Sequence, residues 1–211
     1  MDANAIYAAA AVNRRAMADL LETLTPDQLT SPSLCGEWDV QTVGAHLASA
    51  ITTSVPHVLV ELVRNRGNFD RTNSAVAVKE ARNGITATIA KIRANAESRF
   101  TPPVTGPRAP LTDAIIHLGD ITRPLGLPHD APDDHVRTAL EFLTDGRPIG
   151  FVKRGTLSGL QLYADDLDLT IGAGAQVRGR GIDIAMAVCG RAAALPTLDG
   201  PGVELLRTRI S

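Results

Sequence analysis

Cysteine, aromatic residues and long apolar runs are scarce in this chain of 211 residues, and each scarcity excludes a class of protein. Two cysteines, Cys35 and Cys189, cannot form a disulfide scaffold, so we expect a reducing, cytoplasmic location. Aromatic residues make up 3% of the chain, too few for the stacking platforms that bind single-stranded nucleic acid. No apolar run reaches the roughly 18 to 20 residues of a membrane-spanning helix, and the N-terminus lacks the basic-then-apolar order of a signal peptide.

An excess of charge of one sign is also lacking. The chain has 21 lysines and arginines against 23 acidic residues, and its net charge of -2 predicts no basic patch for nucleic acid. We therefore expect a soluble globular protein whose partners are small molecules, with no nucleic-acid or membrane partner. The sequence leaves the choice between monomer and dimer open. Five histidines are then the most informative residues.

Apolar periodicity predicts helices over the first three-quarters of the chain. Helices are expected over 4–24, from Val40 toward Val63, and over 74–99, 111–122 and 133–143. Pro56 lies inside the second of these runs and should kink that helix or end it early. In the third of these helices the expected inward positions are Val76, Val78, Ile85, Ile89 and Ile92.

The pattern changes after about residue 148. Residues 159–177 alternate apolar and polar side chains, which predicts two or three strands, and residues 181–195 return to helical spacing. The final segment, 203–211, fits a short helix or a strand. The predicted fold is mainly α with an α+β tail: a helical bundle over 1–148 and a small α+β domain over 149–211.

The segment LTDAIIHLGDITRPLG carries the strongest chemical pattern. Asp113, His117 and Asp120 are spaced i, i+4 and i+7, so a helix places them on one face. An acid and a histidine four residues apart can bind one metal ion from successive turns. The alternative is a solvated polar face, in which the helix dipole favours Asp113 near the N-terminus.

His46, within LCGEWDVQTVGAHLAS, is the candidate for a third ligand. Two histidines and a carboxylate leave a coordination position open, as catalytic zinc requires. The alternative for His46 is a hydrogen-bonded core histidine, because its neighbours are apolar. His57 lies eleven residues further on and is a reserve ligand, whereas His129 and His135 are expected at the surface.

The cysteines and the tryptophan of these segments have simpler expected roles. Trp38 is the single tryptophan and should pack its loop onto the bundle. We expect Cys35 and Cys189 to be small buried apolar residues, with no base beside Cys35 that could make it a nucleophile.

Several motifs occur in a specific order along the chain. They are C-x-G-x-W followed by V-x-x-V-x-x-H-L, a D-x-x-x-H-x-x-D helix ending in R-P-L-G, and a late G-R beside an alanine-rich helix. With these motifs the chain resembles the mycothiol-dependent maleylpyruvate isomerase family. The N-terminal half of that family belongs to the DinB-like superfamily of metal-binding four-helix bundles.

The resemblance implies roles for particular residues. It implies that His46, Asp113 and His117 bind a divalent metal, zinc by default, although nickel, iron or cobalt also fits such donors. The usual family carboxylate is Glu, so the side chain here is one methylene shorter. Arg191 matches an arginine needed for activity, facing the bundle across a cleft. Arg191 and Arg123 are then expected to contact the thiol cofactor, mycothiol. For the Asp120–Arg123 pair, a structural contact at the helix end is the alternative.

Three functions are compatible with that resemblance. In the first, a metal-activated thiolate adds to a small electrophile and leaves after cis-trans isomerisation. In the second, a mycothiol S-transferase, the adduct is released. The third is a non-catalytic protein of the same fold that binds a metal or another ligand, or that has lost its metal.

Overall fold

The structure is a computed structural model that describes residues 1–54, 60–61, 63–101, 105–145 and 148–210. The reserve ligand His57 and the proline before it lie outside the described residues. Among the residues described, no helix is long and apolar enough to cross a membrane. The chain divides into two compact units, one of Asp2–His129 and one of Asp130–Ser211 together with Met1.

Helices build the N-terminal unit, and four of them form a bundle. Its elements are α1 (Ala3–Thr23), α2 (Pro26–Leu29), α3 (Val40–Thr52), α4 (Phe69–Ala81), α5 (Ile85–Ala94) and α6 (Arg108–Thr122). Helices α1, α3, α5 and α6 pack on one another, and α4 packs on α3. Their shared core contains Met17, Leu21, Val43, Leu47, Ile92, Leu118 and Ile121.

Polar caps and one small residue fix the position of α3. The N-cap Asp39 accepts a hydrogen bond from the Thr42 amide at 2.9 Å, which sets where the helix begins. Gly44 then lies against α1, because a Cβ there would be 2.7 Å from Leu21 Cδ1. His46, two residues further along α3, is half-buried.

Helix α3 ends at Thr52, ahead of Pro56, as the expected early end requires. Other helix boundaries differ from the sequence expectation. Helix α6 begins at Arg108 rather than at Leu111, because a proline is tolerated in a first helical turn. The single helix expected over 74–99 is two helices. They are separated at Gly84, whose φ of 83° is in the left-handed region. The expected inward residue Val78 is exposed.

The C-terminal unit surrounds a small sheet. Its elements are α7 (Asp133–Thr144), β1 (Leu160–Ala164), β2 (Leu169–Gly172), β3 (Ala175–Gly179), α8 (Gly181–Val188), a 3-10 helix (Ala192–Thr197) and α9 (Gly202–Ile210). The strands lie in the order β2–β1–β3, with β1 antiparallel to β2 and parallel to β3. Helix α8 is buried along its whole length, and the unassigned tail is the helix α9. The mainly helical fold with a small α+β tail is therefore confirmed.

Helix α7 packs within the C-terminal unit, so the units divide at residue 130 rather than near 148. A Cβ at Gly181 in α8 would lie 3.1 Å from Val136 and 3.3 Å from Leu140 of α7. His135 was expected at the surface, and this prediction is wrong. The packing of α7 on α8 leaves His135 only 8% exposed. Burial lowers the pKa of His135. His129 is half-buried.

Candidate metal centre

The structure brings together the three side chains singled out as ligands. His46 comes from α3, and Asp113 and His117 lie one turn apart on α6. The Oδ1 atom of Asp113 is 3.4 Å from His117 Nε2 and 3.8 Å from His46 Nε2. Donor atoms about 2.0 Å from one tetrahedral ion are about 3.3 Å apart, so the group fits a single ion after small movements. The short side chain of Asp113 therefore reaches both rings.

Asp113 and His117 form a half-buried ion pair across one turn of α6. Burial acts to raise the pKa of Asp113, but the charge of His117 and hydrogen bonds from both histidines lower it far below its usual range. Burial acts to lower the pKa of His117. That effect is outweighed by the Asp113 charge and by hydrogen bonds with Asp113, Asp120 and Cys35, so the pKa rises well above 6.5. Each of the two groups therefore favours the charged form of the other.

The pH dependence of stability should reveal this ion pair in protein treated with a chelator. A raised His117 pKa contributes stability below the ordinary value of 6.5, and this contribution is lost as pH rises through the raised pKa. A lowered Asp113 pKa contributes stability above 3.8 that is lost on acidification. We therefore expect the urea midpoint to fall from mildly acidic to alkaline pH.

A His117→Gln variant provides the control for that profile. Glutamine cannot be protonated, so the variant should lack the alkaline loss that the wild-type chain shows. A midpoint of the wild-type protein that rises steadily with pH over the same range would contradict the assignment of the ion pair.

Asp120 and Cys35 also lie close to His117. Its Nδ1 atom is 3.0 Å from Asp120 Oδ2, and the Asp120 side chain is fully buried. Donor atoms of Cys35, His117 and Asp120 also lie within 4.8 Å of one another. The expectation that no base lies beside Cys35 is therefore wrong, because the loop before α3 folds back onto α6. The Leu34 amide donates to the Asp120 carbonyl at 3.0 Å in the same region.

Trp38 packs on the bundle core as expected, and it also borders the two histidines. Its ring centroid is 5.1 Å from that of His46 and 6.5 Å from that of His117, and its Nε1 donates to Ser74 Oγ at 3.2 Å. In the sequence, Trp38 lies eight residues before His46, in the loop that leads into α3. As the single tryptophan, it provides a fluorescence reporter for the site.

One buried cation near the centre has no counterpart in the sequence analysis. Arg14 on α1 is 1% exposed, and its Nη1 donates to the carbonyls of Ala96 at 2.8 Å and Ser98 at 2.7 Å. Burial lowers the pKa of Arg14, and the charge of Asp113 partly opposes that shift. Two adjacent arginines, Arg14 and Arg15, in an alanine-rich helix predict a solvent-exposed face. The burial of Arg14 is therefore visible only in the tertiary structure.

The two arginines expected to contact a cofactor lie at helix ends. Arg123 follows α6 and is half-buried. Arg191 follows α8 in the C-terminal unit, where its Nη1 donates to the Cys189 carbonyl at 2.8 Å. Their roles toward a ligand stay predictions.

A family model and two solved structures are similar to this chain, and they indicate the same kind of protein. Residues 10–122 match the family described as the mycothiol maleylpyruvate isomerase N-terminal domain. The fold is similar to crystal structures of the mycothiol-dependent maleylpyruvate isomerase and of a point mutant of it. The first has a TM-score of 0.60 at 16% identity and the mutant 0.62 at 15%, and each comparison covers 95% of this chain and 93% of the other. No curated protein matches the sequence.

Proposed function

Because the chain belongs to the mycothiol maleylpyruvate isomerase N-terminal domain family, we propose that it is a metal-dependent enzyme that uses a low-molecular-weight thiol. The observation that carries the proposal is the convergence of His46, Asp113 and His117 from two helices onto a group of donor atoms within 4.8 Å. Such an enzyme works where thiols stay reduced, so a cytoplasmic location is part of the proposal.

The three donors suit a divalent ion, and zinc is the first choice. Two imidazole nitrogens and one carboxylate oxygen form the kind of three-ligand set that catalytic zinc uses. When bound there, the ion would stabilise a thiol as its thiolate at neutral pH, because a metal-coordinated thiol loses its proton.

The side chains of the protein would supply binding and orientation around that ion. The Trp38 ring, 5.1 Å from the His46 ring, provides an apolar wall that limits water at this edge of the site. We propose that Arg191 and Arg123 bind carboxylate groups of the substrate or the thiol, since a guanidinium pairs with a carboxylate through two parallel hydrogen bonds.

Isomerisation is the reaction we propose, acting on a small conjugated electrophile such as maleylpyruvate. The test begins with elemental analysis of the purified protein and continues with mycothiol and maleylpyruvate. We expect about one divalent ion per chain, product formation without net loss of thiol, and loss of both metal and turnover in an Asp113→Asn variant.

Two other outcomes separate the remaining functions. Stoichiometric consumption of mycothiol by an electrophile would identify an S-transferase that uses the same centre. Bound metal with no turnover of either kind over a panel of electrophiles would support a metal- or ligand-binding protein and contradict the enzyme proposal.

A further inference from the structure

Asp120 is the most completely buried acid near the candidate metal centre, and its carboxylate contacts a proposed ligand. The Asp120 side chain is fully buried, and its Oδ2 lies 3.0 Å from His117 Nδ1. Both residues belong to α6, three positions apart, so one helical turn fixes their separation. The Asp120 carbonyl also accepts the Leu34 amide, which ties the loop before α3 to this turn.

The contact determines which nitrogen of His117 can bind a metal. A carboxylate oxygen can only accept, so Nδ1–H is the donor to Asp120. When His117 is neutral, the lone pair available to a metal is then on Nε2, the atom that lies 3.4 Å from Asp113 Oδ1. His46 contributes its donor atom to the same group. A neutral imidazole without this acceptor could carry its proton on either nitrogen and could rotate about its side-chain bonds.

We propose that Asp120 is a positioning residue of the metal centre, whose carboxylate holds the His117 ring with Nε2 directed at Asp113 and His46. The inference rests on the proposed function and deepens it, because it concerns how the same site holds its metal. Metal-bound histidines generally donate their second N–H to an outer-shell acceptor, and loss of that acceptor costs 10- to 100-fold in metal affinity.

Cobalt titration of Asp120 variants tests this role without any assay of turnover. Quenching of Trp38 fluorescence and the visible cobalt absorption would follow binding to the metal-free protein. We expect an Asp120→Ala variant to bind cobalt about 10- to 100-fold more weakly than the wild-type protein. An Asp120→Asn variant, whose amide oxygen accepts the same hydrogen bond without a charge, should lose less affinity.

Thr122→Val provides the matched control on the same helix. The Thr122 hydroxyl is buried without a hydrogen-bond partner among the described residues, so its removal tests a packing change that leaves His117 in place. We expect cobalt affinity within about twofold of the wild-type value.

A spectroscopic measurement separates positioning from a general loss of structure. In the zinc-bound protein, the Nδ1–H proton of His117 should give a slowly exchanging downfield NMR signal that Asp120→Asn shifts and Asp120→Ala removes. A folded Asp120→Ala variant with unchanged cobalt affinity and an unchanged signal would overturn the inference alone. A wild-type protein that binds no cobalt would overturn the proposed metal centre as well.

Discussion

Replacing His46 with alanine is expected to lower the affinity for a divalent ion by more than about 100-fold, beyond the loss typical of an outer-shell residue. His46 is the single donor of the group that α3 supplies, and its Nε2 lies 3.8 Å from Asp113 Oδ1. Without it, Asp113 and His117 remain as a two-donor pair on α6, one fewer than the three protein ligands of a catalytic zinc site. Elemental analysis and cobalt absorption measure the loss directly, without using the neighbouring tryptophan.

His135→Ala is the control for the loss of a buried imidazole elsewhere in the protein. His135 lies in α7 of the C-terminal unit and belongs to neither group of candidate donors. We expect this variant to lose stability while it keeps the metal content of the wild-type protein. An equal loss of metal in both variants would mean that unfolding, rather than removal of a ligand, explains the result. Full metal content in a folded His46→Ala protein would contradict the assigned ligand set.

Replacing Arg14 with alanine is expected to lower the free energy of unfolding by about 3 to 5 kcal/mol. The side chain is 1% exposed and donates to the carbonyls of Ala96 and Ser98, which follow helix α5. Its removal leaves a cavity in the bundle and takes the donor away from two carbonyls. Urea unfolding followed by circular dichroism measures the change.

The next residue in the chain is a matched control for this prediction. The Arg15 side chain is 48% exposed and pairs with Glu97 at the surface, so Arg15→Ala should cost no more than about 1 kcal/mol. Arg14→Met, which fills much of the volume without donors, should lie between the two. Equal urea midpoints for the Arg14→Ala and Arg15→Ala variants would show that the buried guanidinium contributes nothing to stability.

The sequence was most informative where local spacing determines geometry. Asp113 and His117 share a helical face because they are four residues apart, and the Asp39 cap fixes where α3 begins. The presence of strands after residue 148 also followed from local alternation. The break at Gly84 was missed, because the apolar spacing continues through a glycine whose left-handed conformation interrupts the helix.

Other features of the site depend on contacts between distant segments. Cys35 meets His117 only because the loop before α3 is hydrogen-bonded to the last turn of α6. The burial of Arg14 depends on the carbonyls after α5, which are more than eighty positions away in the chain. His135 is buried because α7 packs on α8, and its acidic neighbours predict exposure instead.

Because the donors lie on two helices, a bound ion would also affect how helices α3 and α6 come together and separate. Asp113, His117 and Asp120 acquire their mutual spacing as soon as α6 forms, since they lie within two turns of one helix. His46 arrives only when α3 packs against α6. An ion held by His46, Asp113 and His117 is therefore a cross-link between segments that are far apart in the chain. Its binding energy should slow the separation of these two helices much more than the fraying of either one.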